Sequence, residues 1–245
     1  MSSADRPERV PAVELRSVHK AFSGRPVLKD VSVSVPSSGV TFVVGKSGAG
    51  KSVFCRLAVG LDRADAGEIL LFGERVTGRS ERQLLALRRG APYLVQGPAL
   101  LDWLTLRQNV ALADPKASHD AVAAQLARVG LGDAADRKPP EVGPGVRKRA
   151  AIARALLLQP RYLLFDEPTT GLDHPSARQV ADVLVRLREE GLGALVVSHD
   201  YPLLSRLADR VVLVAGGGAR LYRDRQAFLG SPDPEVRALL EPVQL

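Results

Sequence analysis

The feature that most restricts the fold of this sequence is a glycine-rich segment placed between a strand-like run and a helix-like run. VTFVV at residues 40–44 is followed by GKSGAGKS at residues 45–52 and then by VFCRLAVGL. The segment fits the pattern G-x-x-x-x-G-K-[ST]. Its glycines let successive backbone N–H groups point into one concavity, and the following helix directs its positive end there. An ordinary glycine-rich turn could match the letters, but the flanking strand and helix favour a phosphate-binding loop.

The polar residues at the end of this loop have separate predicted tasks. Lys51 would neutralise the β and γ phosphates of a nucleotide, and Ser52 would hold Mg²⁺. Cys55, one helical turn later, is more simply a small buried side chain than a redox thiol. The residues predicted to form the phosphate cradle are Gly45, Lys46, Ser47, Gly48, Ala49, Gly50, Lys51, Ser52 and Val53.

Strand-like and helix-like runs alternate along the chain, which is typical of crossover units on a parallel sheet. Residues 13–18 and 31–35 alternate apolar and polar positions, as half-buried antiparallel strands do. YLLF at 162–165, LVVS at 195–198 and VVLV at 211–214 are continuous apolar runs, as expected of strands covered on both faces. The pattern predicts an α/β fold with a mixed sheet.

Residues 106–158 lack strand-like runs, and their composition predicts helices interrupted at prolines. We therefore expect N-terminal antiparallel strands and a helical subdomain inserted into the core. The predicted organisation is one domain over residues 1–245, with a core at about 10–97 and 160–228, a helical subdomain at about 98–159 and a C-terminal tail at about 229–245.

Composition narrows the class of protein further. A single cysteine excludes an intramolecular disulfide and favours a reducing compartment. The first ten residues are polar, without an apolar signal core, and no later run approaches the roughly 20 apolar residues that span a bilayer, so we expect a soluble chain. The net charge of +7 is compatible with nucleic acid or an anionic membrane. Because no long basic run or interleaved aromatic residues accompany that charge, solvated surface charge is favoured and no nucleic-acid partner is expected.

A second strand-like run ends in adjacent acids. In RYLLFDE at residues 161–167, Asp166 would hold Mg²⁺ through water and Glu167 would act as the base that activates a water molecule. Adjacent acids after a strand can equally be a helix cap or a solvated turn. The phosphate-binding loop earlier in the chain favours the hydrolytic interpretation.

Three further polar residues follow predicted strands or precede a helix. His199 follows LVVS and could donate to a γ phosphate, or it could be structural. Gln96 follows a short strand-like run and could bridge metal, water and an outside partner, or it could be a plain loop amide. Asp173 precedes His174-Pro175 and could simply cap the helix that begins there.

Five elements occur in one order: GKSGAGKS, Gln96, a glycine-rich segment before RKRAAIARAL, LLFDEP with TTGLD, and SHD. In order and content they resemble the nucleotide-binding domains of ABC proteins over essentially the whole chain. The resemblance implies a P-loop NTPase (RecA-like) core, ATP and Mg²⁺ as ligands, and ATP hydrolysis. It further implies pairing with a second ATPase subunit, as a homodimer or a heterodimer, beneath integral-membrane permease subunits.

The resemblance also assigns roles residue by residue. It implies that Phe22 stacks on adenine and that Ser52, Gln96 and Asp166 hold the metal, with Gln96 sensing the permease. It implies that Glu167 is the catalytic base, that Asp173 crosses the dimer interface and that His199 is the switch histidine. Catalysis is thus expected from Glu167, His199 and Gln96.

Narrower features are similar to the ATPases of Mla/Mce-type phospholipid transport systems. They are GKSV in the cradle, ALLDWLTLRQNVAL after Gln96, RKR at 147–149 and SPDPEVRALL near the end. This similarity implies a permease linked to a lipid-binding envelope protein, a tail that reaches the partner ATPase, and a cytoplasmic location on the inner face of the cell membrane. Trp103, the only tryptophan, is either a contact with the permease or a half-buried packing residue.

One motif departs from the family pattern. The signature, usually LSGGQ, is here VGPGV at residues 142–146. The resemblance implies that the serine hydroxyl and glycine N–H groups of this signature bind the γ phosphate held by the opposite subunit. Here Gly143 lacks that hydroxyl and Pro144 lacks an N–H, although Gly145 and the helix end still offer a donor. Loss of two hydrogen bonds to a charged phosphate, at roughly 1.5 to 3 kcal/mol each, would weaken ATP-driven closure by more than roughly a hundredfold.

Two functions remain open at this point, a transport ATPase in either of two assemblies and a regulatory subunit. The chain could be one half of an asymmetric ATPase pair whose partner supplies an intact signature, or it could form a homodimer with two slow sites. It could also be a non-hydrolysing or very slow regulatory or assembly subunit, although such a subunit need not keep Glu167.

Overall fold

The computed structural model describes residues 10–241.

The N-terminal strands build a sheet of their own. Four antiparallel strands follow the order β2-β1-β4-β5. The alternation of buried and exposed positions in β2, where Val31, Val33 and Val35 are buried, explains why one face packs inward. The strands are β1 Val13–Phe22, β2 Arg25–Val35, β4 Ala66–Leu71 and β5 Glu74–Arg75.

A six-stranded sheet forms the centre of the molecule, in the order β10-β9-β3-β8-β7-β6. Its neighbours are parallel except for β10, which pairs antiparallel with β9. Every residue of β3 and β8 is buried, as expected when both faces are covered. The strands are β3 Val40–Val44, β6 Tyr93–Leu94, β7 Tyr162–Asp166, β8 Gly193–Val197, β9 Arg210–Ala215 and β10 Gly218–Tyr222.

The helices cover this sheet and form the insertion between β6 and β7. Side-chain oxygens of Thr105, Ser118, Asp173, Asp200 and Asp224 accept backbone N–H groups at helix starts, which explains where these helices begin. The helices are α1 Lys51–Ala58, α2 Glu81–Gly90, α3 Leu106–Ala111, α4 His119–Arg128, α5 Pro144–Leu156, α6 His174–Glu189, α7 Tyr201–Leu207, α8 Arg225–Leu229 and α9 Pro234–Leu240. The predicted α/β fold with an inserted helical region is therefore confirmed.

Successive side chains of the central strands pack into two different apolar layers, one on each face of the sheet. In β3, Phe42 and Val44 pack into a layer with α3 to α7, whereas Val43 packs into a second layer with α1 and the antiparallel sheet. Each fully buried large aliphatic or aromatic side chain contributes roughly 1.5 to 3 kcal/mol. Because both faces are covered, the carboxyl ends of the parallel strands are the open edge of the sheet, where ligands of such folds bind.

The C-terminal tail returns to the core. Val236 of α9 is fully buried, and the Tyr201 hydroxyl donates to the backbone carbonyl of Leu239. The predicted tail extends to residue 245, of which residues 242–245 lie outside the described part, as does the polar start at residues 1–9. The subdomain boundaries at about 98–159 remain predictions. Between residues 10 and 241, no helix has the length and apolar character needed to cross a bilayer.

Candidate functional site

The phosphate cradle joins the end of β3 to the start of α1. A Cβ atom at Gly45 would lie 2.2 Å from the carbonyl oxygen of Val214 on β9, so this position accepts only glycine. Gly50, the residue before α1, has a φ of +102° and a Cβ there would lie 2.8 Å from Val27 Cγ1. Positive φ and close packing together require glycine at this bend. The loop therefore curls as its sequence predicts.

Lys51 reaches back across the loop. Its Nζ donates to the carbonyl oxygens of Gly45 at 2.8 Å and Lys46 at 3.0 Å, so the ammonium is held over the cradle. Burial lowers the pKa of Lys51, while the charges of Glu167 and Asp166 act in the opposite direction. A partly buried cation beside backbone amides at a helix start is suited to a polyphosphate.

The predicted metal ligands Ser52 and Asp166 meet beneath the cradle. Ser52 Oγ donates to Oδ1 of Asp166 at 3.1 Å, although 114 positions separate them in the sequence. The Tyr93 hydroxyl donates to the other carboxylate oxygen, Oδ2, at 2.5 Å. A hydroxyl and a carboxylate at this spacing fit Mg²⁺, which prefers a few hard oxygen ligands and completes its shell with phosphate and water. Mg²⁺ held there would neutralise charge on the phosphates.

Glu167 and His199 form a pair at the same edge of the sheet. Nδ1 of His199 lies 2.9 Å from Oε1 of Glu167, and the Thr170 hydroxyl donates to Oε2 at 3.1 Å. Glu167 has a φ of +50°, and its backbone N–H donates to Val197 at the end of β8. The side chain of Glu167 is 15% exposed and that of His199 is 70% exposed. This carboxylate can accept a proton from water, and the imidazole can hold it in position.

The other predicted site residues are placed as follows. Phe22 is exposed at the end of β1, with Lys20 Nζ 4.9 Å above its ring. The backbone carbonyl of Gln96 accepts from Lys148. Asp173 caps α6 by accepting from the Ser176 N–H at 3.0 Å, as the capping alternative predicts. Among the residues described, no hydrogen bond joins the side chain of Gln96 or of Asp173 to the cradle.

The signature segment at residues 142–146, which differs from the family pattern, lies at the start of α5. Gly143 is the N-cap, with extended φ and ψ of −69° and 164° and no side-chain cap, and Pro144 occupies the first turn. A Cβ at Gly143 would meet nothing within 4 Å, whereas a Cβ at Gly145 would lie 2.7 Å from Ser176 Cβ on α6. Gly145 is therefore needed where α5 and α6 approach each other, and Gly143 is not constrained by space.

Sequence reasoning missed several residues that shape this site: Tyr93, Thr170 and Lys148. The signal for Tyr93 is a hydroxyl-bearing side chain in the short strand β6, because strands of a parallel sheet direct polar residues toward one edge. The RKR run at 147–149 includes Lys148, but nothing local signals its contacts with the loop after β6 and with Glu167; Lys148 lies within α5 and is only 8% exposed. Trp103 is 70% exposed, so of its two predicted roles the half-buried packing role is wrong.

Comparison with known proteins agrees with this geometry. The family model described as ABC transporter matches residues 28–170. The chain is 37% identical to the aliphatic sulfonates import ATP-binding protein SsuB 1 of Xanthomonas axonopodis pv. citri, over 90% of this chain and 87% of that one. It is 33% identical to the intermembrane phospholipid transport system ATP-binding protein MlaF of Escherichia coli, over 94% of this chain and 89% of that one.

Solved structures give the same result. A dimeric ATP-binding cassette in a post-hydrolysis state, bound to ADP and Pi, superposes with a TM-score of 0.75 at 26% identity, covering 86% of this chain and 98% of the other. A nucleotide-free cassette from an ABC transporter superposes with a TM-score of 0.83 at 22% identity, over 95% and 99% of the two chains, which supports the fold. The motifs, the cradle and these similarities together show that the chain belongs to the ABC transporter family, as an ATP-binding subunit that hydrolyses ATP.

Proposed function

We propose that this ATPase drives phospholipid movement across or between membranes. The support is the similarity to MlaF together with the four short segments that resemble Mla/Mce-type ATPases. A relative named for sulfonate import has a comparable sequence identity to this chain. The assignment of a phospholipid cargo therefore depends on the four short segments. Purification from mild detergent tests the cargo. A copurifying permease with phospholipid and a lipid-binding envelope protein is expected, and a permease that brings only a periplasmic solute-binding protein would contradict the lipid assignment.

The proposed chemistry rests on the pair formed by Glu167 and His199 beside Lys51. Glu167 accepts the proton of the attacking water, and His199 holds the Glu167 carboxylate and donates to the γ phosphate. Lys51 binds the β and γ phosphates, and Ser52, Asp166 and Gln96 hold Mg²⁺. Phe22 stacks on the adenine, and Asp173 lies at the interface with the second ATPase subunit.

Substitution of Glu167 tests this assignment. Glu167→Gln keeps the shape of the side chain and its contact with Thr170 but removes the base. ATP turnover is expected to fall by at least roughly 100-fold while the Kd for ATP stays within about twofold. Lys51→Ala is the contrasting variant, because it is expected to lose nucleotide binding itself. Unchanged turnover in Glu167→Gln would remove the proposed base.

We propose that permease subunits dock near the loop that follows Gln96. Trp103 is 70% exposed in this loop, and Val95 and Leu112 are exposed beside a groove that β6 forms with α5. Exposed large apolar side chains around a groove are typical of a binding surface. Such docking would place the chain on the cytoplasmic face of the membrane. Trp103→Ser is expected to reduce copurification of the permease without changing the Kd for ATP.

We also propose an asymmetric pair of ATPase subunits. Because the N-terminus of α5 lacks the serine hydroxyl and one N–H, it makes a weak clamp for a phosphate held by the partner. A partner with an intact signature would complete the site built on Lys51 and Glu167. Fast cooperative hydrolysis by the purified chain alone would contradict asymmetry, whereas turnover that requires the membrane complex supports it.

A further inference from the structure

Lys148 is a buried cation that none of the proposed roles uses. It lies on α5, is 8% exposed, and its Nζ contacts two backbone carbonyls from different segments. One belongs to Gln96 in the loop after β6. The other belongs to Glu167, at 3.3 Å. A single ammonium thus connects α5 with both segments that carry proposed catalytic residues.

The contact with Glu167 falls on a backbone conformation that is costly. Glu167 has a φ of +50°, which a side-chain-bearing residue adopts only when its surroundings hold it there. Its N–H donates to Val197 at 2.8 Å, and its carbonyl accepts from the Thr170 N–H at 3.3 Å as well as from Lys148. The charged donor from α5 therefore adds to the contacts that keep this peptide turned.

We propose that Lys148 is a positioning residue that holds the main chain of Glu167 and Gln96 against α5. With α5 packed against the sheet, as in this structure, Lys148 holds Glu167 in the orientation in which it pairs with His199. A displacement of α5 from the sheet would therefore remove the same donor from the Glu167 peptide and from the Gln96 loop together. Burial lowers the pKa of Lys148, and the charges of Asp166 and Glu167 act in the opposite direction. The inference rests on the proposed role of Glu167 as base.

The neighbouring residue provides a matched control. Arg149 is also a partly buried cation on α5, and it donates to two backbone carbonyls, those of Val129 at 3.0 Å and Gly130 at 3.2 Å. These carbonyls follow α4, within the helical region, and not at the sheet edge. Arg149→Met therefore removes the same chemistry from the same helix without touching Glu167 or Gln96.

The experiment compares Lys148→Met, Lys148→Gln, Lys148→Arg and Arg149→Met in the full chain, together with its membrane complex. Lys148→Met is expected to lower kcat about tenfold or more with little change in the KM for ATP, because positioning and not binding is lost. Lys148→Gln retains one donor group, so its kcat is expected to lie between those of Lys148→Met and the parent chain. Lys148→Arg is expected to restore most of kcat, since a guanidinium can reach two carbonyls. Arg149→Met is expected to lower the Tm with kcat within about twofold.

Amide hydrogen exchange gives a readout that does not depend on turnover. In Lys148→Met, the amides of Glu167 and Thr170 are expected to exchange about tenfold faster, whereas in Arg149→Met they exchange as in the parent chain. Equal effects of Lys148→Met and Arg149→Met on kcat and on these amides would overturn the inference, as would a failure of arginine to restore them. Full turnover in Glu167→Gln would instead overturn the proposed base, and the exchange data would still decide the role of Lys148.

Discussion

The Tyr93 hydroxyl donates to Oδ2 of Asp166 at 2.5 Å, on the side of the carboxylate opposite to Ser52. Burial, with the hydrogen bond to Asp166 as a further cause, raises the pKa of Tyr93, so the hydroxyl remains a donor throughout the physiological range. Tyr93 therefore holds one carboxylate oxygen and leaves the other directed toward Ser52. An outer hydrogen bond of this kind orients a metal ligand.

Tyr93→Phe tests this orientation. The variant keeps the ring but leaves Oδ2 without its donor, so Asp166 can rotate away from Ser52. The Mg²⁺ concentration that half-activates ATP hydrolysis is expected to rise roughly tenfold. Tyr222→Phe removes a hydroxyl near Asp233, outside the site, and is expected to leave that concentration unchanged. Identical magnesium titrations for Tyr93→Phe and the parent chain would exclude a role in orienting Asp166.

His199→Ala tests the contact with Glu167. The imidazole is 70% exposed, so the free energy of unfolding is expected to change by less than about 0.5 kcal/mol. Turnover is expected to fall roughly 100-fold because Glu167 loses a partner and the γ phosphate loses a donor. Single-turnover kinetics measure the effect, and His119→Ala, an exposed histidine at the start of α4, is the control. Wild-type rates in His199→Ala would show that the histidine is structural.

Gly143→Ser is a gain-of-function test of the departing signature. A Cβ at this position would meet nothing within 4 Å, and the extended backbone suits a serine N-cap. A restored hydroxyl that reaches the partner's γ phosphate adds one hydrogen bond to a charged group, so ATP-dependent dimerisation is expected to tighten about tenfold. Analytical ultracentrifugation with Glu167→Gln in the background measures this. Gly143→Ala adds the Cβ alone, and equal tightening by alanine would refute the hydroxyl explanation.

Asp209 is expected to make stability depend on acid pH. Burial alone would raise its pKa, but hydrogen bonds from Arg188 and from the Val40 N–H, with the charges of Arg188 and Arg210, outweigh burial and hold the pKa below its ordinary value. A lowered folded-state pKa contributes stability that is present above the unfolded value near 3.8 and is lost as pH falls through the folded value.

Urea unfolding of Asp209→Asn between neutral pH and about pH 3 measures this contribution. The variant is expected to lose about 1 kcal/mol at pH 7, a modest figure because both partners are partly solvated, and to differ less from the parent chain below pH 4. Asp136→Asn, which breaks an exposed pair with Arg107, is expected to have a smaller effect. A constant difference between Asp209→Asn and the parent chain at all pH values would contradict the linkage.

Local chemistry explains what could be predicted from the sequence about the site. The glycines, Lys51 and Ser52 are adjacent in the chain, and the flanking strand and helix confine the loop to one shape. The two acids at the end of β7 were predicted because a buried strand delivers its last residues to the sheet edge. In contrast, Tyr93 lies 73 positions from Asp166, and Lys148 lies 52 positions from Gln96. No local pattern encodes such contacts, because they depend on which strand and helix become neighbours.

The sequence by itself thus determined the class of ligand, the family and the weakened signature. Each of these depends on residues that are close together in the chain, within one loop or at the start of one helix. The tertiary structure decided which carboxylate oxygen faces Ser52, how the Glu167 backbone is turned, and that α5 reaches both catalytic segments through one ammonium. The physical reason is that donors and acceptors only a few ångströms apart here belong to segments brought together by packing of the central sheet. Their geometry is therefore set by the three-dimensional arrangement of strands and helices and not by proximity along the chain.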